Sequence, residues 1–113
     1  MSCDVHQFFD DYKKSYGKMK KLVPETVDGF SKLFSNVMKD GPISLKEKEL
    51  IAVGIAVAIR CEPCIRLHVK KALDTGMSSE QILEAASVAV MMGGGPASTY
   101  LPIVIETIEA IQG

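Results

Sequence analysis

The chain has 113 residues, 47% of them hydrophobic and 24% charged, with 13 basic side chains against 14 acidic and a formal net charge of −1. That length fits a single domain over residues 1–113, and the near balance of charge provides no field to attract a nucleic-acid backbone or an anionic membrane, so neither is expected as a partner. A mean hydropathy of +0.15 is high for so small a chain and points to apolar surface shared between subunits.

Three cysteines, an odd number, without an apolar N-terminal run and small-residue cleavage pattern argue against a secreted disulfide scaffold and for the reducing cytoplasm. The longest apolar run, Leu50 to Ile59, covers ten residues and is too short to span a bilayer.

In chain order, residues 4 to 22 place Phe9, Tyr12, Tyr16 and Met19 three or four apart, the period of an amphipathic helix. Lys13, Lys14, Lys18, Lys20 and Lys21 read as its solvated face, with positive charge gathered toward the C-terminal end. Pro24 opens a second helix in which Val27, Phe30, Leu33, Phe34, Val37 and Met38 repeat at helical spacing until Asp40-Gly41-Pro42 stops it.

Ser44 and Glu47 have the spacing of a capping box, so a third helix is predicted from Leu45 to about Arg60. Leu50 to Ile59 leaves no polar face for more than two turns, and a helix apolar all round is expected to be buried all round. A chain this small cannot easily wrap it alone, which again predicts an oligomer.

Pro63 lacks an N–H and disfavours helical geometry at Glu62, so it fits a first turn and breaks the chain here. A fourth helix is predicted with Cys64 in its opening turn, running to Asp74 or Thr75 and ended by Gly76. Ser78, with Gln81 three residues on, opens a fifth helix that ends at Gly93-Gly94-Gly95. A last helix follows Pro96, with Pro102 either kinking it or lying in its first turn. No segment alternates at period two for long enough to be a strand. The predicted fold class is all-α: a single compact helical domain of about six helices, oligomeric.

The chemistry concentrates in Cys61-x-x-Cys64-x-x-x-His68, preceded by Glu49. Cysteines at this spacing can close a disulfide, and the N–H groups and partial positive charge of a helix N-terminus stabilise a thiolate. His68 lies about 40° round the helix from Cys64 and roughly 6 Å along it, on the same face, where it can serve as base. Lowering a thiol pKa from about 8.5 to about 6 raises its ionised fraction at pH 7 about thirtyfold.

Other readings stand beside this one. Buried cysteines can be inert small hydrophobes, and a histidine on an apolar face can be purely structural. A zinc site would use Cys61, Cys64 and His68 with Cys3, His6 or Glu49 as fourth ligand, although no second ligand pair is present. Covalent haem is excluded because Ile65, not histidine, follows Cys64, and a thioredoxin fold lacks its strands.

Glu49 would stand about 18 Å from Cys61 along a continuous helix, so it reaches the dithiol only if the chain folds back; otherwise it is a solvated residue of the charged first turns. Gly93-Gly94-Gly95 follows a helix and lacks the ending of a phosphate loop. Cys3 reads as a bystander near the terminus.

The pattern Glu49-x11-Cys61-x-Pro63-Cys64-x3-His68, with the helix before it and Gly-Gly-Gly-Pro after it, resembles the alkylhydroperoxidase D-like branch of the carboxymuconolactone decarboxylase family. The resemblance covers roughly residues 25 to 110, and its four fixed positions are far more specific than Cys-x-x-Cys alone.

It implies a helical homotrimer or homohexamer and a thiol-dependent peroxidase. A hydroperoxide would be the substrate, an external dithiol, thioredoxin-like or lipoyl, the reductant, and no cofactor or metal would take part. By position, Cys64 would be the peroxidatic thiol, Cys61 the resolving thiol, His68 the base and Glu49 the group completing the proton relay. The sequence departs from that pattern at Pro63, where the enzyme has a second histidine. The alternatives are lactone decarboxylation, said to proceed without the dithiol in the family's other branch, and a non-catalytic zinc-binding or assembly module.

Overall fold

In the computed structural model, which describes residues 4–113, six helices and no strand form two compact units, one ending at Lys39 and the other spanning Asp40–Gly113. Cys3 lies outside the described residues.

The first unit is a helical hairpin of α1 (Val5–Leu22) and α2 (Pro24–Val37). Asp4 caps α1 by accepting from the Gln7 amide at 3.2 Å, and Val23 closes it through its amide to the Met19 carbonyl at 2.8 Å. Pro24 then starts α2 at once, because the first helical position needs no N–H. Val5 and Val27 are buried, whereas Phe30, Leu33 and Val37 of the predicted apolar stripe lie exposed within this unit.

The second unit holds α3 (Leu45–Ala58), α4 (Glu62–Asp74), α5 (Ser79–Ser98) and α6 (Leu101–Gln112). Its core is aliphatic and fully enclosed at Val53, Val57, Ile65, Val69, Ile82 and Val104. Both predicted capping boxes form: Ser44 Oγ accepts from the Glu47 amide at 3.2 Å while Glu47 accepts from the Ser44 amide at 3.0 Å, and Ser78 and Gln81 do the same at 3.1 and 2.9 Å.

The third helix ends at Ala58, two residues short of the expected point. Arg60 adopts a left-handed conformation with φ of 57°, letting the Cys61 amide reach back to the Ala56 carbonyl at 3.0 Å. That turn sends α4 back along α3. Gly76, with φ of 94°, closes α4 in the same way.

In α5 the backbone breaks at Gly94 (φ 69°, ψ −152°), inside the glycine run where the helix was expected to stop, and helical geometry resumes after it. Pro102 sits in the first turn of α6, which resolves the choice left open by the sequence.

The expectation that α3 is buried all round does not hold in the chain by itself. Val53, Ala56 and Val57 enter the core, but Ile51, Ile55 and Ile59, four residues apart, are each about half exposed or more on the opposite face. Among the described residues, no single helix is long and apolar enough to cross a membrane.

Candidate active site

Cys61 is the N-cap of α4, and Glu62, Pro63 and Cys64 make up its first turn. Proline fits there without loss, since the first amides of a helix have no partner within it. The Cys61 sulfur accepts from the Cys64 amide at 3.3 Å, so the cysteine itself supplies the cap that serine supplies in α3 and α5. Cys61 and Cys64 are joined in a disulfide, their Cα atoms 5.2 Å apart. Both are partly buried, and Cys64 packs against the core beside Ile65.

His68 stands one turn further along α4 than Cys64. The reversal at Arg60 brings Glu49 of α3 back to it, with His68 Nδ1 2.7 Å from Glu49 Oε1. Glu49 is therefore not the solvated residue the sequence also allowed: its side chain is 4% exposed, against 20% for His68. A carboxylate can only accept, so opposite an ionised Glu49 the neutral imidazole carries its hydrogen on Nδ1 and its lone pair on Nε2. The pair thus presents an imidazole oriented at one nitrogen and basic at the other, on the helix face that carries Cys64. The structure pairs Glu49 of α3 with His68 of α4, and joins Cys61 to Cys64 at the start of α4, one turn before His68.

Among the described residues, no group of three or more His, Cys, Asp or Glu side chains is placed to hold a metal ion.

The sequence reading missed a second polar cluster. Arg66, 2% exposed, donates from Nε and Nη2 to Glu62 Oε2 at 3.3 and 3.2 Å, from Nη2 to Glu106 Oε1 at 3.1 Å, and from Nη1 to the buried Thr107 hydroxyl at 3.1 Å. The Glu62–Arg66 spacing of four is a visible helical ion pair, but nothing local connects Arg66 to residues about forty positions away on α6.

The family model for the carboxymuconolactone decarboxylase family matches residues 24–105. A crystal structure of a family member from Legionella pneumophila in its apo form superposes with a TM-score of 0.89 at 36% identity, covering 96% of each chain. A family member from Thermotoga maritima, for which a part in antioxidative response has been suggested, superposes with a TM-score of 0.83 at 26% identity, covering 94% of this chain and 90% of that one. An uncharacterized protein of Cupriavidus necator is 27% identical over 112 residues, 99% of both chains. The chain belongs to the carboxymuconolactone decarboxylase family.

Proposed function

We propose that the protein is a thiol-dependent peroxidase of the alkylhydroperoxidase D-like branch, reducing hydroperoxides through Cys61 and Cys64. The observation that carries this reading is the coincidence, at one helix start, of a bridged dithiol and a histidine whose Nδ1 is engaged by a buried carboxylate at 2.7 Å. An inert structural pair of cysteines has no use for that base.

In the reduced enzyme His68 takes the Cys64 proton, and the thiolate attacks one oxygen of the hydroperoxide. The O–O bond breaks, the alkoxide leaves as alcohol after protonation, and Cys64 becomes a sulfenic acid. The Cys61 thiolate then attacks that sulfur, water departs, and the Cys61–Cys64 disulfide forms. An external dithiol, thioredoxin-like or lipoyl, returns two electrons by exchange, which suits a reducing cytoplasm. Pro63 offers no proton, so His68 and Glu49 carry the transfer alone. The role suggested for the Thermotoga maritima relative points the same way.

The test is peroxide titration of fully reduced protein with disulfide mapping by mass spectrometry. One Cys61–Cys64 bridge per peroxide consumed is expected, and Cys61→Ser should accumulate sulfenic acid on Cys64. Failure to form the bridge, or oxidation at Cys61 in Cys64→Ser at the wild-type rate, overturns the assignment. Turnover of a carboxylated lactone that persists in Cys64→Ser would favour decarboxylation instead.

The reading includes self-association as a homotrimer or homohexamer. Ile51 and Ile55 line an almost wholly apolar groove of about 510 Å³ between α3 and α5, with Val88 and Met92 opposite. A second copy of the chain is proposed to cover this face. Light scattering should give a multiple of the 12.3 kDa chain mass, reduced by Ile55→Glu, and a monomeric wild type would refute it.

A further inference from the structure

We propose that Arg66 is a positioning residue for the dithiol: its guanidinium cancels the Glu62 charge inside the Cys61-Glu62-Pro63-Cys64 turn and ties that turn to α6, so that a thiolate can form there at neutral pH. The inference rests on the reading that a thiolate is the working group of this site. It assigns a function to a cluster that the peroxidase chemistry does not itself use.

Burying a guanidinium is expensive, and the two carboxylates it meets do not require it, since the Glu62 and Glu106 side chains keep 46% and 29% of their exposure and could remain hydrated. What the burial changes is the field at the first turn of α4. Glu62 is one residue from Cys61 and two from Cys64, and an uncompensated carboxylate there opposes a second negative charge on either sulfur. Two of the guanidinium's hydrogen bonds go to a single oxygen of Glu62. Two further bonds anchor it to Glu106 and Thr107, and Thr107 in turn donates to the Ile103 carbonyl at 2.8 Å. The charge is thereby held by α6 as well as by the turn.

Among the described residues, the further acid of α6, Glu109, is exposed. Glu49 from α3 pairs with His68 of α4, and Lys46, Glu47 and Lys48 belong to the first turns of α3. Arg60 precedes Cys61 on the exposed turn, Glu106 belongs to the cluster, and the Lys70–Asp74 pair and Lys71 lie at the far end of α4. The acids of α5, Glu80 and Glu84, are exposed in its first turns. Against these, Arg66 is placed on the turn's own carboxylate.

The experiment measures the rate of iodoacetamide alkylation of the reduced full-length chain from about pH 5 to pH 9. Arg66→Met should move the reactive thiol's midpoint up by about half a unit to one unit, read as a three- to tenfold slower alkylation on the acid side of the midpoint. Arg66→Met/Glu62→Gln should recover most of that shift, which a merely structural role of Arg66 would not allow. Glu62→Gln alone should move the midpoint down, and it decides the matter if Arg66→Met does not fold. A folded Arg66→Met with the wild-type midpoint, a double variant as shifted as the single, or an unmoved Glu62→Gln overturns the proposal. No peroxide enters the measurement, so its outcome is separable from that of the peroxidase test.

Discussion

Replacing Glu49 with glutamine probes the proton path with little change of shape. The wild-type contact is a 2.7 Å bond from His68 Nδ1 to a carboxylate whose side chain is 4% exposed. Hydrogen bonds to a charged partner contribute about 1.5–3 kcal/mol, and neutral ones about 0.5–1.5. When His68 accepts the thiol proton, the imidazolium of the variant therefore loses about 1–1.5 kcal/mol of support, which is five- to tenfold in the rate of a step limited by that transfer. Glutamine can also turn its amide toward Nδ1, moving the ring hydrogen to Nε2 and occupying the basic nitrogen, so the loss should be at least this large. The assay is the time course of Cys61–Cys64 bridge formation after mixing reduced protein with peroxide at neutral pH, quenched by alkylation and read by mass spectrometry. A Glu49→Gln protein that melts with the wild type and oxidises at the same rate would refute the argument.

Arg60→Gly should raise thermal stability by about 1 kcal/mol, because φ of 57° strains any residue with a Cβ and suits glycine; a lower melting temperature would contradict this reading of the turn. Glu47 is held below the ordinary carboxylate range, first by the Ser44 amide and then by the Ser44 hydroxyl. Its folded-state value is depressed, so the stability it contributes is complete above the unfolded value and is lost as pH falls through the folded one; melting curves of wild type and Glu47→Gln should differ at neutral pH and converge on acidification. Ile65→Val, at a fully enclosed position next to Cys64, should destabilise by about 1 kcal/mol in chemical denaturation, and no effect would mean that the core relaxes freely there.

What could be read from the sequence was what is decided within one turn of chain. Ser44 with Glu47, Ser78 with Gln81, and Pro63 at a helix start are local arrangements, and each appears as expected. The meeting of Glu49 with His68, nineteen positions apart, depends on the left-handed turn at Arg60, and arginine gives no warning of a conformation usually taken by glycine. The Arg66 cluster is still less visible, because whether Glu106 faces α4 depends on how α6 is set after the bend that follows Gly94. The unbroken apolar run Leu50 to Ile59 predicted a buried helix but could not say that α4 and α5 cover only part of it, leaving Ile51, Ile55 and Ile59 outside.

In the proposed chemistry the groups of the site depend on one another. Glu49 is buried and engages His68 Nδ1, while Cys64 shares the face on which His68 projects one turn away. In the proposed chemistry, Glu49 therefore acts on the thiol through the imidazole and not in parallel with it. Where the family enzyme has a further histidine, Pro63 provides no alternative donor, so the path has no branch. Groups in series are not additive when deleted: once His68 is gone, the carboxylate has nothing left to orient. His68→Gln should slow bridge formation more than Glu49→Gln, and the double variant should be no slower than His68→Gln. If the two losses multiplied instead, Glu49 would have a separate route to the sulfur, and a single path through His68 would be wrong.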